Sequence, residues 1–497
     1  MPEEFWSADD AGPAGQDAPG MTGRGPHASL RAMKTDLIDQ ELSPDEVPAD
    51  PVAWCRAFAD QPGLALFDSA LKDQRLGRYS FLGIDPFARL EADRTGVRLN
   101  GVWTGSDPFE SIGELCERYG IEPRSDLPPF QTGLAGYFGY GLRHHVERVP
   151  THAHADIAWP DLILGLYDLV LAVDHMEGRA WLLASGYPET TPRSRRERAE
   201  ARIGWARDRL RRAPQTSPAA SWAISAKPDL SPAEFRTAVR RTIDYIEAGD
   251  IYQANITQRF HARLPAGFDR LSLYQALRTR NPATFGAYLD FGATSILSSS
   301  PERFLKVADG AVETRPIKGT RPRGRGPAED KALAAELLAS AKDRAENLMI
   351  VDLLRNDISR VCKIGSVTVP TLFGLESYAT VHHLVSVVAG ELAQGRSAVD
   401  LLRACFPGGS VTGAPKIRAM EIIAELEPTR RGVYCGSLGY LGAGGTMDTS
   451  IAIRTAVVRD GEVYFQAGGG IVADSDPEAE YRETLDKARG IIRALAT

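Results

Sequence analysis

The run Glu313-Thr-Arg-Pro-Ile-Lys-Gly-Thr-Arg-Pro-Arg-Gly324 sets one amine, Lys318, among guanidiniums and beside a tight Gly-Thr turn. Arg315, Arg321, Arg323 and Arg325 all disfavour another positive charge nearby. The residues therefore point to a lysine of lowered pKa that can serve as a neutral nucleophile. A solvated basic loop is the plainer reading, because most charge runs are solvated.

Downstream, residues 342–361 carry helical periodicity. At 100° per residue, Asp343 and Glu346 fall on the same side as Ile350, Leu353 and Leu354. Acids on an apolar face require a partner, either a ligand or a buried salt bridge. A second helix is expected over residues 477–496, with Tyr481, Leu485, Ala488, Ile492 and Leu495 as its apolar stripe. Glu480, Glu483 and Lys487 cluster away from that stripe and, on pattern alone, are ordinary surface. Upstream, Ser231-Pro-Ala-Glu234 supplies an N-cap, a proline at the first helical position and a glutamate at the third. Phe235, Val239, Ile243 and Ile246 then form one stripe before Gly249 ends the helix.

Residues 36–186 read as strands, in short apolar runs such as Gly63–Ser69, Gly77–Gly83 and the long Asp161–Val173. A charged surface helix over 194–212 and a linker follow, so the chain divides into a disordered tail (1–34), an N-terminal region (35–212), a linker (213–224) and a C-terminal region (225–497). The tail has no apolar signal-peptide core, and Glu3, Glu4, Asp9 and Asp10 argue against a transit peptide. Met1, Met21 and Met33 are alternative starts.

With 497 residues, 43% hydrophobic content and no long uncharged apolar run, the composition is that of a cytoplasmic protein with no membrane span. A net charge of −7 argues against a nucleic-acid partner. Five scattered cysteines, without a Cys-x-x-Cys pair, suggest neither a disulfide framework nor a thiolate zinc site. Gly408-Gly-Ser-Val-Thr-Gly-Ala-Pro-Lys416 lacks the Gly-Lys-Ser/Thr of a phosphate loop. His382 and His383, taken as helical neighbours, would point about 100° apart and cannot share a metal.

Ser300-Pro-Glu-Arg-Phe304, Pro316–Arg323, Ala345–Asp357, Thr412-Gly-Ala-Pro-Lys-Ile-Arg-Ala-Met420 and Glu483-Thr-Leu-Asp-Lys487 occur in that order. Together they resemble the chorismate-utilising enzymes, over roughly residues 225–495. The resemblance implies an α+β fold in which two large, mostly antiparallel sheets pack face to face with helices outside, the N-terminal part being woven onto the catalytic part. It also implies Mg²⁺ held by Glu346 and Glu483, with Asp343 and Glu480 holding its waters, a set of oxygen donors that suits this ion. Tyr434 and Arg454 are implied to receive the enolpyruvyl carboxylate, and Thr320 with the backbone of Gly468, Gly469 and Gly470 the ring carboxylate. From the residues alone the triple glycine reads as a bulge or turn after the strand Val463–Gln466. His383 matches the family's active-site histidine and Glu302 its acid/base residue, whose pKa burial must raise.

Within the family, alanine at the position of Lys318 marks anthranilate synthases, and lysine marks the aminodeoxychorismate synthases. The latter make 4-amino-4-deoxychorismate for 4-aminobenzoate and folate synthesis. The implied reaction replaces the C4 hydroxyl of chorismate by an amino group through a covalent Lys318 adduct. No glutamine amidotransferase signature is present, so ammonia is expected from a separate glutaminase subunit. Gln253 stands where isochorismate and salicylate synthases carry a water-activating lysine, which disfavours water attack. Anthranilate synthase is the alternative activity, and a catalytically silent chorismate-binding regulatory subunit the non-enzyme alternative. The tryptophan site of anthranilate synthases matches the region of Ser69 and Asn281-Pro-Ala-Thr-Phe-Gly286.

Overall fold

The computed structural model describes residues 37–72, 76–151, 156–214, 221–378 and 381–496. The tail read over 1–34 and the linker residues 215–220 lie outside them. Among the described residues the strands form two twelve-stranded sheets in which the paired neighbours run antiparallel. The first holds Leu64–Asp68, Phe285–Asp290, Thr294–Ser300, Glu462–Ile471 and Gln253–Arg263. The second holds Gly133–Phe138, Arg303–Ala308, Ile317–Pro322, Val381–Glu391 and Met447–Ile451.

Inward side chains of both sheets share one aromatic-rich core, in which Phe130 stacks on Tyr440 with centroids 4.5 Å apart and Phe81 meets both edge-on. A second core packs the Ala341–Ser359 helix against one outer face, and a third packs the Pro477–Leu495 helix against the other. This is the α+β architecture expected of the family. Strands from both sides of the 213–224 linker lie in each sheet: Leu64–Asp68 pairs with Phe285–Asp290, and Gly133–Phe138 with Ser437–Gly442.

The long run Asp161–Val173 is two strands, not one. Leu162–Tyr167 lies in the second sheet and Leu169–Asp174 in the first. The chain crosses at Asp168, which is fully buried and accepts from Arg198 Nε at 3.0 Å and Arg202 Nη2 at 3.1 Å. Apolar residues that alternate sheets give no break in hydropathy, so only the single acid marks the crossing. The capping box at Ser231 forms as read, and the helix Pro232–Glu247 stops before Gly249 at φ +84°. No helix among the described residues is long and apolar enough to cross a membrane.

Candidate active site

Lys318 lies in the strand Ile317–Pro322, paired to Val381–Glu391, and the register shifts between Ile317 and Thr320. Gly319 takes φ +79° at this bulge. A bulge turns its residues out of the pleat and re-aims a side chain. The Lys318 side chain is only 12% exposed and its Nζ lies 4.0 Å from Glu346 Oε2.

Burial holds the Lys318 pKa below the ordinary lysine value, and Lys487 adds to the effect while Glu346, Glu302 and Glu483 oppose it. The expectation that the neighbouring arginines cause the shift is corrected here. Arg315 pairs with Glu376, Arg321 reaches Glu336 at 2.8 Å and Asp343 at 3.2 Å, and Arg323 forks onto Asp330. Their charges are spent on carboxylates instead of pressing on the amine.

Glu302 directly precedes the strand Arg303–Ala308 and is 6% exposed. Burial raises its carboxyl to about 7, against hydrogen bonds from Ser410 and the Ile317 backbone and the charge of Lys318. The group can thus be a protonated acid near neutral pH and a base once it has given up its proton.

Four acids come from two helices. Glu346 and Asp343 come from Ala341–Ser359, and Glu480 and Glu483 from Pro477–Leu495. Burial raises Glu346, with Lys318 opposing and Asp343 and Glu483 adding their repulsion. Burial also raises Glu480, which accepts from Ser475 Oγ at 2.7 Å. At Glu483 the desolvation is outweighed by Lys487, whose Nζ sits 2.6 Å away, so the net shift is downward. Pattern alone made Glu480, Glu483 and Lys487 plain surface; Glu480 is buried, whereas the Glu483 side chain stays exposed and Lys487 partly so. The helix also packs its Glu480 side against Gly469, where a Cβ would stand 2.9 Å from Glu480 Oε2 and 3.7 Å from Glu483 Oε1.

The triple glycine is the end of a strand, since Gly468, Gly469 and Gly470 pair with Thr257, Ile256 and Asn255. The turn or bulge reading is therefore wrong. Glycine is required by close approach: a Cβ at Gly468 would meet Ile256 O at 2.2 Å, and one at Gly470 the Gln253 amide at 2.6 Å. Gln253 is fully buried, and both polar atoms of its side chain lack hydrogen-bond partners.

Arg454 takes φ +51°, and among the described residues its guanidinium has no hydrogen-bonded or ion-paired partner. Burial lowers its pKa, with Tyr434 and Glu483 opposing. A desolvated guanidinium without a counter-ion is a receptor for an anion. Tyr434 is buried and desolvation pushes its hydroxyl well up.

His382 and His383 are strand neighbours, not helical ones, so they face opposite sides. His382 bonds Asp330 at 3.0 Å and Ser377 at 2.7 Å. His383 shares a hydrogen bond with Thr320 Oγ1 at 2.9 Å, and burial lowers its pKa to about 4, with Arg454 contributing, so the ring is neutral.

The contacts of three residues escaped the reading of the sequence. Lys487 ties Glu483 to the Gly468 carbonyl, 2.8 Å from its Nζ; its spacing of one turn from Glu483 was the available signal. Ser410 bonds Glu302, and no local pattern announces it. Lys416 is bound to Asp357 at 2.6 Å and locks two helices together. The Ser69 region borders a separate cavity of 290 Å³ between the sheets, walled by Phe67, Tyr79, Phe81, Phe285, Arg303 and Asp448 among others.

The assembly brings together a buried amine, a buried carboxyl raised to about 7, a guanidinium without a partner among the described residues, and carboxylates from two helices. Residues 65–493 match the model of the chorismate binding enzymes, and the chain belongs to that family. It is 45% identical to aminodeoxychorismate synthase component 1 of Escherichia coli K12, over 79% of this chain and 83% of that one. It is 41% identical to anthranilate synthase component 1 of Pseudomonas aeruginosa, over 90% of this chain and 93% of that one. The crystal structure of anthranilate synthase component I from Streptococcus pneumoniae superposes with a TM-score of 0.75 at 34% identity, covering 85% of this chain and 93% of that one.

Proposed function

We propose that this chain converts chorismate and ammonia into 4-amino-4-deoxychorismate. The observation that carries the proposal is the buried Lys318 amine, aimed by its bulge at the Glu346 carboxylate and close enough to Glu302 to feel its charge. Substrate binding uses Arg454 and Tyr434 for one carboxylate and Thr320 with the Gly468–Gly470 backbone for the other. The neutral amine of Lys318 attacks C2 while the C4 hydroxyl takes the Glu302 proton and leaves as water, both conjugated double bonds of the ring shifting by one position to connect C2 with C4. Ammonia then attacks C4, the double bonds return, and the lysine is expelled. The proton lost by the incoming nitrogen restores Glu302. Chorismate and ammonia thus give the amino product and water.

Glu346 and Glu483 would hold Mg²⁺; in the structure they pair with Lys318 and Lys487 respectively. Among the described residues no three His, Cys, Asp or Glu side chains gather as a metal site, so waters and a substrate carboxylate would complete the shell. The ion supplies charge neutralisation at the ring carboxylate. A separate glutaminase subunit is the proposed ammonia source. Attack of ammonia at C2, the anthranilate outcome, is blocked in this scheme because the lysine occupies that carbon.

Intact-protein mass spectrometry of the chain with chorismate, Mg²⁺ and no ammonia tests the scheme. The expected result is an adduct mapping to Lys318, absent in Lys318→Ala, with slow diversion of that variant to the 2-amino isomer. A Lys318→Ala enzyme that forms the 4-amino product at the wild-type rate refutes it.

A further inference from the structure

We propose that Arg303 is the positioning residue of the catalytic acid, holding Glu302 in place from the far side of the second sheet. This rests on the reading of Glu302 given above. Arg303 is 5% exposed, and all three nitrogens of its guanidinium are engaged. Nε and Nη2 fork onto Asp448 at 2.9 and 2.8 Å, while Nη1 donates to Glu313 at 2.9 Å. Its face lies over Phe285, 5.1 Å from the ring centroid. Consecutive residues of an extended chain point to opposite faces, so a side chain locked on one face fixes the backbone that aims its neighbour on the other.

The clamp acts at the start of a strand whose pairing is interrupted. The pairing to Met447–Ile451 slips between Arg303 and Leu305, so regular ladder bonds do not pin this stretch. Glu302 itself keeps one ladder contact, its carbonyl accepting from Ile451 at 3.0 Å, and its own amide donates to Ser300 Oγ at 3.3 Å. Asp448 lies on the same strand as Ile451, so the fork ties Arg303 to the element that holds the Glu302 carbonyl. Only a planar, five-donor head meets both acids at once, which lysine cannot do. Arg303 and Asp448 also wall the 290 Å³ cavity between the sheets, so the same clamp joins the wall of that cavity to the backbone beside Glu302.

The test compares Arg303→Lys and Asp448→Asn with Leu438→Ala, a substitution in the same cavity wall that leaves every charge of the clamp in place. Turnover is measured as a function of pH. The groups facing the Glu302 carboxyl, namely Lys318, the Ser410 hydroxyl and the Ile317 amide, are unaltered in all three. For an acid misplaced by about 1 Å, kcat is expected to fall about 100-fold. The chorismate KM should stay close to wild type, and the loss of activity with rising pH should move to lower pH as the carboxyl gains water. Leu438→Ala should lose thermal stability and keep the wild-type pH profile. An unmoved profile in both clamp variants overturns the proposal, as does an equal displacement in Leu438→Ala. If Arg303→Lys fails to fold, Asp448→Asn alone decides. Glu302→Gln separates the two levels of inference. Wild-type turnover in that variant sinks the acid itself, whereas an inactive Glu302→Gln beside unmoved clamp profiles sinks only the role of Arg303.

Discussion

Gly319→Ala tests whether the bulge, more than the lysine's mere presence, makes the site. Gly319 sits at φ +79°, where a non-glycine residue costs roughly 1–2 kcal/mol. The added methyl would also stand 2.8 Å from both Asp343 Cγ and Leu337 Cδ1, too close for van der Waals contact. Either the bulge flattens or the Asp343 helix moves away, and both displace Lys318 from Glu346. A shift of about 1 Å costs on the order of 100-fold in rate. The control is Gly461→Ala, at φ +75° with nothing within 4 Å of its Cβ, which carries the same backbone cost without the clash. Denaturant melts and steady-state kinetics with ammonium salt and chorismate are the assays. Gly461→Ala should lose similar stability and keep its activity, while Gly319→Ala loses both. Wild-type kcat in Gly319→Ala would show that the bulge does not aim the lysine.

Glu302, raised to about 7 in the fold, should give a rate that falls as pH rises through that value. The same shift means that its contribution to stability is complete below its unfolded pKa and is lost as pH rises through 7, by about 3 kcal/mol. Glu302→Gln should therefore be inactive yet lose less stability between pH 5 and pH 8 in denaturant titrations, and parallel curves for the two proteins would contradict the burial argument. Glu346→Gln and Glu483→Gln should each weaken Mg²⁺ binding at least tenfold by calorimetry while keeping the wild-type melting curve; unchanged affinity in both removes the metal assignment. Glutamine should support turnover only when a glutaminase subunit is added, whereas ammonium at high pH suffices alone, and glutamine-dependent activity of the purified chain would refute the division of labour.

The helices that carry the acids were legible from periodicity, because their buried faces repeat every three to four residues, and the capping box at Ser231 announced its own helix. The sheets were legible as strands but not as partners. Nothing local in Leu162–Asp174 says that its two halves belong to different sheets, since both are buried on either side of the crossing. Lys318 was found by its charged surroundings, yet the physical cause of its shift lay elsewhere, because Arg315, Arg321 and Arg323 are already paired with carboxylates of a neighbouring strand and two helices. Ser410 and Asp448 were invisible because each acts on a residue far away in sequence, brought there by the packing of a distant turn in one case and a distant strand in the other.

The exchange of strands between the two sheets bears on how the molecule comes into being. Each sheet needs partners made early and late in synthesis, and the last helix, Pro477–Leu495, supplies Glu480, Glu483 and Lys487 to the pocket. Neither half can close its own core while the other is missing, so the order of events is set by long-range pairing and not by local nuclei. A nascent chain that has already exposed the reactive Lys318 has no acids opposite it from this helix. Under the proposed function, a partly built molecule would hold the amine without the acids of its last helix, and the site would be complete only when the fold is.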